Sequence, residues 1–321
     1  MSDGKGVFMK CLVLGGNGFI GSHLVDRLLA EEHQVRVFDR HEERYRSLLN
    51  TVDYRYGDFG NHGLLSSALE NIEVVFHLIN TTVPKTSNDD PAFDLSSNAI
   101  ETIFLLEQCV AKKIHKIVFI SSGGTVYGMP DILPIREDSS TNPLCSYGIT
   151  KLTIEKYLSL FNYLYGLNYT IVRPSNPYGS RQNPFGIQGA ISVFLAKVIG
   201  NEMIEIWGDG EVVRDYIFID DLADGIYKAA FTNTTSRIFN LGSGEGISLN
   251  SILTAIRNTT NSEIKFTYAQ KRLFDVPTIF LDITRAKEEL GWLPTTTLET
   301  GISKTHSFIS QLFRKMDICD D

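Results

Sequence analysis

A chain of 321 residues, 43% hydrophobic and 21% charged, has ordinary globular composition and is long enough for one large domain or two modest ones. Its formal net charge of −8 argues against nucleic-acid binding by phosphate neutralisation, and no apolar run approaches the roughly 18 residues of a membrane span. The four cysteines are scattered, with no C-x-x-C and no histidine at ligand spacing, so no metal site is expected and a reducing cytoplasm fits. Met1 to Phe8 lack the apolar stretch of a signal peptide and read as an extension ahead of Met9.

The first element is a short apolar strand, Lys10–Leu14, which runs into Gly15-Gly16-Asn17-Gly18-Phe19-Ile20-Gly21. A helical pattern follows through Leu24, Leu28 and Leu29, and a second strand, 34–38, ends at Asp39, 18 residues after Gly21. Strand, glycine turn, helix, strand and acid come in the order a dinucleotide site requires. Gly15, Gly18 and Gly21 permit a tight turn and close approach of backbone to a pyrophosphate, and the helix start at Phe19 and Ile20 supplies amide donors and a favourable dipole. Asp39 is placed to accept hydrogen bonds from the adenosine ribose. That favours NAD over NADP, whose 2′-phosphate the acid would repel; Arg40, next in the chain, would soften the preference.

Strands at 53–56, 74–78 and 116–121 alternate with helical segments near 63–69 and 93–113, the pattern of a parallel, doubly wound sheet. After the third strand, Asp58 is a candidate acceptor for the adenine amino group and Phe59 a flank for its ring, a surface turn being the equal alternative. The fourth strand reaches the ligand-binding edge at Leu78, with His77 read as a satisfied core histidine. The fifth runs into Ser121-Ser122-Gly123-Gly124-Thr125-Val126-Tyr127-Gly128, whose hydroxyls would face a substrate. Leu152, Ile154, Tyr157, Leu158, Phe161 and Leu164 recur at helical spacing and predict a helix over 146–165. Tyr147 and Lys151 share one face of it. A phenol with a pKa of about 10 is a poor base at neutral pH, and a nearby ammonium favours the phenolate. A tyrosine tuned in this way can exchange a proton with a substrate hydroxyl.

Beyond a strand at 169–173 come Pro174-Ser175-Asn176-Pro177-Tyr178-Gly179, a turn at 207–210 and a strand at 213–218. A helix that Asp220 or Asp221 would cap follows, then helices near 249–257, 283–290 and 298–313. The expected fold is α/β. A Rossmann-type doubly wound parallel sheet spans 9–173, and a smaller mixed α/β substrate lobe spans 174–315, with some segments returning to the large sheet.

The glycine motif, the serines before Val126-Tyr127-Gly128, and Tyr147-x-x-x-Lys151 together resemble the extended short-chain dehydrogenases/reductases. Arg173-Pro174-Ser175-Asn176-Pro177-Tyr178-Gly179 and Gly208-Asp209-Gly210 followed by Val213-Arg214-Asp215-Tyr216 are similar to the NAD-dependent sugar-nucleotide epimerases and dehydratases, UDP-glucose 4-epimerases most of all. The likeness runs from Lys10 to about Leu298. It implies that Tyr147 is the acid/base and that Lys151 holds the nicotinamide ribose and lowers the tyrosine's pKa. Leu78, Asn98 and Pro174 would belong to the cofactor site, with Lys85 reaching toward it. Asn176, Gln188 and Arg214 would meet the nucleotide diphosphate, Arg272 would be a second phosphate arginine, and Asp275 would hold the nucleoside ribose. A homodimer through a four-helix bundle is also implied, from the helices at 93–113 and 146–165. Ile103, Leu106, Leu158 and Phe161 would face either that interface or the sheet.

Two departures concern the substrate. Gly123 stands where the family usually has a serine or threonine, so its hydroxyl would have to come from Ser122, Thr125 or water; and Gln188-Gly189-Ala190 replaces an asparagine-rich segment. The implied activity is C4 epimerisation of a nucleotide-diphosphate hexose of the UDP-glucose or UDP-N-acetylglucosamine type, through a transient 4-keto sugar, with NAD tightly held. An NAD(P)H-dependent 4-reductase of a dTDP- or other nucleotide-linked 4-keto-6-deoxyhexose is the alternative toward which Gly123 leans. A 4,6-dehydratase would need carboxylates where the chain has Gly124-Thr125. A non-catalytic NAD(P)-binding regulator would have no use for the Tyr147/Lys151 pair.

Overall fold

The computed structural model describes residues 8–270 and 276–319. Six strands enter one parallel sheet in chain order: β1 (Lys10–Leu14), β2 (Gln34–Asp39), β3 (Val52–Tyr56), β4 (Val74–His77), β5 (Lys116–Ile120) and β6 (Tyr169–Pro174). A seventh, Ile238–Leu241, returns from the second half of the chain and pairs with β6, giving the spatial order Ile238–Leu241, β6, β5, β4, β1, β2, β3. The strand order reverses beside β1, where β2 lies on one side and β4 on the other. A crevice opens there, outside the carboxyl ends of the strands.

The strands are near-continuous apolar runs because both faces of the sheet are covered. Cys11, Leu12, Val13 and Leu14 of β1 are all fully buried. On one face Leu24, Val25 and Leu28 of the helix Phe19–Ala30 pack with Ile226 and Ala229 of the helix Ile219–Phe231. On the other, Leu105 and Leu106 of the helix Glu101–Ala111 pack with Ile154 and Leu158 of the helix Ser146–Tyr165. The long helix takes the predicted bounds, and Gly166 ends it in the left-handed region at φ 72°. Its start is capped from far away in the chain. Ser146 N donates to Asn88 Oδ1 at 2.9 Å and Tyr147 N to Ser87 Oγ at 3.0 Å.

Three expectations change in detail. The helix predicted over 93–113 is interrupted by a π-helical turn, Leu95–Ile100, which turns Asn98 inward. The strand predicted over 213–218 breaks at Asp215 into Val213–Arg214 and Tyr216–Phe218. The buried Asp215 carboxylate accepts from Ser243 N, Ser243 Oγ, Gly244 N and Leu281 N, tying three segments together. Neither Asp220 nor Asp221 caps the helix Ile219–Phe231, which starts from Phe218 without a side-chain cap. Asp220 pairs with His23, and Asp221 accepts from Thr295 N, Thr295 Oγ1 and Thr296 N. Small two- and three-stranded sheets and the helices Ala190–Ile199, Leu249–Thr260 and Leu298–Cys319 make up much of the second half of the chain. No helix among the described residues is long and apolar enough to cross a membrane.

Candidate active site

A cavity of about 890 Å³ lies along the carboxyl edge of the large sheet. At one end it is walled by the glycine turn. Gly18 precedes the helix Phe19–Ala30 without a side-chain cap, and the first turn carries no acid, so the leading amides at Phe19 and Ile20 have no acceptor of their own helix. Gly15 sits at φ +83°. A Cβ on Gly21 would stand 2.1 Å from Gly15 O, so the turn closes onto the helix only without a side chain. Gly21→Ala is therefore expected to strip the protein of bound NAD. Nucleotide released from the purified protein by acid checks this, and wild-type content would show that the turn can spread without losing the site.

Asp39 is buried at the end of β2 and anchors this turn: Oδ2 accepts from Asn17 N at 3.1 Å and Oδ1 from His41 N at 3.0 Å. Arg40 does not reach the cavity. It is exposed and donates from Nε to His41 Nε2, while Arg44, four residues on, lines the cavity. Asp58 closes a local turn by accepting from Gly60 N at 2.9 Å. The Phe59 ring is not available as a flank for a base. It is 5% exposed and packs against His77 at 5.1 Å, because burying an aromatic ring outweighs leaving it at a turn. His77 is a core residue as expected; Nε2 bonds Thr102 Oγ1 at 2.9 Å, and burial with the Lys151 charge nearby pulls its pKa down to about 3. Nδ1 has no partner among the described residues.

Ser122, Thr125, Tyr147, Lys151, Leu78 and Pro174 line the cavity, as do Asn176, Gln188 and Arg214. Asn176 Nδ2 donates to Asp215 O at 2.9 Å. Arg214 Nη1 donates to Val213 O and Val276 O at 2.8 and 2.7 Å, which fixes the guanidinium at the wall. Arg272 and Asp275 lie outside the described residues. Lys85 is exposed and off the cavity, although Val83 and Pro84 line it. Asn98 does not line it either. Its Oδ1 accepts from Thr81 N at 2.9 Å and its Nδ2 donates to Thr81 Oγ1 at 2.8 Å, so it acts on the site by holding the loop after β4.

Lys151 Nζ donates to Ile120 O at 2.9 Å and lies 5.6 Å from the centre of the Tyr147 ring. Burial brings its pKa down to about 7, opposed by the carboxylates of Asp94 and Glu155. The expected lowering of the Tyr147 pKa is not found in the protein alone. Burial raises the phenol, with the charges of Cys145 and Asp94 adding in the same direction. Burial is the largest cause of that rise. Sequence reasoning missed Asp94 altogether. This fully buried carboxylate accepts from Thr82 Oγ1, from Ser146 Oγ at 2.7 Å and from Thr150 Oγ1 at 2.8 Å, locking the loop after β4 to the first turns of the helix that carries Tyr147. Gln182, also on the cavity, gave no signal in the sequence.

Residues 11–242 match the profile of the family described as the NAD dependent epimerase/dehydratase family. The chain belongs to that family. A UDP-glucose 4-epimerase of Mycolicibacterium smegmatis is 36% identical over 94% of this chain and 98% of its own length. A dTDP-4-dehydro-6-deoxyglucose reductase of Escherichia coli is 33% identical over 91% of this chain and 95% of its own. Among solved structures, the UDP-glucose 4-epimerase of Thermotoga maritima with UDP-glucose superposes with a TM-score of 0.90 at 33% identity, covering 95% of this chain and all of the other. NAD is the cofactor of this epimerase/dehydratase family, and the uncapped helix start, the side-chain-free turn and the buried acid at the end of β2 fit a dinucleotide.

Proposed function

We propose that the protein interconverts the C4 epimers of a UDP-hexose, of the UDP-glucose or UDP-N-acetylglucosamine type, through a transient 4-keto sugar. The observation that carries this is the meeting of Tyr147 and Lys151 with Arg214 and Asn176 in one cavity that begins at the glycine turn. The enzyme is an NAD-dependent nucleotide-sugar 4-epimerase. Bound NAD supplies the hydride acceptor and donor for C4. The amides at Phe19 and Ile20 would hold its diphosphate, Asp39 its adenosine ribose, Asp58 the adenine and Lys151 the nicotinamide ribose. Tyr147 Oη takes the proton of the sugar 4-hydroxyl and returns it when the ketone is reduced. Arg214 and Asn176 hold the substrate diphosphate while the hexose turns about that link, so the two half-reactions address opposite faces. Gln188 lines the same cavity.

The Escherichia coli relative and Gly123 favour one second reading, reduction of a nucleotide-linked 4-keto-6-deoxyhexose by the same tyrosine and lysine. Incubation with UDP-glucose, UDP-N-acetylglucosamine and a dTDP-4-keto-6-deoxyhexose separates the two. Formation of a UDP-hexose C4 epimer without added cofactor supports the epimerase. Stoichiometric loss of NADH or NADPH with the keto sugar, and no epimer, replaces it with the reductase.

The partner in this reading is a second copy of the chain. Leu106, Leu158 and Phe161 face the sheet core, and Ile103 packs against it. Outside remain Ile100 on one helix and Ile149, Leu160 and Leu164 along one stripe of the other, all more than 40% exposed. Light scattering should give twice the 35.9 kDa of one chain, falling to one chain in Ile149→Asp/Leu160→Asp. A single-chain mass for the wild type would reject the dimer.

A further inference from the structure

The reading of Tyr147 as acid/base, on which the role assigned below to Thr125 rests, leaves open which hydroxyl stands beside the reacting sugar oxygen. Ser121 N and Gly123 N donate to Val172 O and Pro174 O, both at 2.8 Å, so residues 121–123 continue the pairing of β5 with β6. Side chains alternate between faces in such a segment. Ser121 points toward the helix that carries Tyr147, and its Oγ is taken by Glu155 Oε1 at 2.5 Å. Gly123 falls on that same face and Ser122 on the opposite one. Position 123 has no room for a side chain. A Cβ there would lie 2.6 Å from Leu281 Cδ1, 3.0 Å from Pro174 O and 3.1 Å from Arg173 O. Leu281 is itself fixed, fully buried among Val126, Tyr127, Ile135 and Ile279, with its amide on the Asp215 carboxylate.

Thr125 is the next hydroxyl along the chain. Its backbone reaches the start of the catalytic helix: a Cβ on Gly148, the residue after Tyr147, would sit 2.9 Å from Thr125 O. Thr125 lines the cavity and is only half-buried, yet its Oγ1 is sealed from solvent with no hydrogen-bond partner among the described residues. A buried hydroxyl without a partner is destabilising, and one χ1 step moves it to another staggered position. We propose that Thr125 takes over from the side chain that Leu281 excludes at position 123, its Oγ1 hydrogen-bonding the reacting sugar hydroxyl beside Tyr147.

Thr125→Val removes the hydroxyl at nearly constant shape. Calorimetry on the NAD-loaded protein should show UDP-glucose binding about ten-fold more weakly than to wild type, with UDP itself unchanged. With UDP-4-deoxyglucose the difference between wild type and Thr125→Val should vanish, because the contact has lost its partner on either side. Thr125→Ser should restore the wild-type affinity. The proposal is overturned if Thr125→Val binds UDP-glucose as wild type does, as it would if Ser122 made the contact, or if its penalty persists with the 4-deoxy sugar. These readouts need no turnover. A wild type that binds UDP-glucose without epimerising it rejects the epimerase reading while the cycle still decides the contact; a wild type that binds no UDP-hexose rejects both.

Discussion

Tyr147→Phe is expected to lower kcat by about 10²–10⁴-fold while leaving the bound NAD and the affinity for UDP-hexose near wild type. The phenyl ring keeps the packing on the cavity wall and removes only the hydroxyl proposed to exchange a proton. Burial holds the phenol above its ordinary pKa, so in the protein alone it is protonated at neutral pH. Burial lowers the Lys151 pKa as well, so its charge supports the phenolate less as pH rises. Lys151→Met removes a cation that lies 5.6 Å from the centre of the tyrosine ring, so the phenolate loses that support and the acid limb of kcat/KM should move to higher pH. A Tyr147→Phe protein that keeps more than a tenth of the wild-type rate would assign the proton transfer to another group.

Where the chemistry is local in the chain it was legible in the sequence. The run Lys10–Leu14 is apolar at every position after Lys10 because the sheet is covered on both faces, and that run with its glycine turn places the dinucleotide end. Tyr147 and Lys151 were legible because four residues on a helix guarantee one face. What escaped depends on contacts between distant segments. Asp94 meets Thr150 across 56 residues of chain, Ser87 meets the Tyr147 amide across 60, and nothing in either stretch announces the other. Asn98 and Phe59 lie in the right segments, but a π-helical turn and the core under His77 redirect their side chains. Gly123 looked like a missing hydroxyl; in three dimensions it is also a missing volume, filled by Leu281 from the far end of the chain.

Glu155→Ala is expected to destabilise the protein by about 3–5 kcal/mol, read as a lower urea midpoint. Glu155 and Arg173 are each about 3% exposed and form two parallel bonds, Nε to Oε1 at 3.0 Å and Nη2 to Oε2 at 2.6 Å. The arginine also donates to Glu137 O at 3.3 Å and stacks over Tyr127 at 4.8 Å, so it cannot swing out to water when its carboxylate is removed. The variant therefore leaves a guanidinium charge inside the protein and Ser121 Oγ without its acceptor. Removing both charges is a different experiment. Glu155→Met/Arg173→Met replaces the pair with apolar volume and should recover most of the loss, because desolvating two ions offsets much of their mutual attraction. If Glu155→Ala unfolds within about 1 kcal/mol of wild type, then water or a backbone shift reaches Arg173. The pair would then orient Ser121 and the end of β5 rather than hold the fold. The kcat of the double variant checks this, since a positioning role predicts that kcat stays low although the double variant is about as stable as wild type.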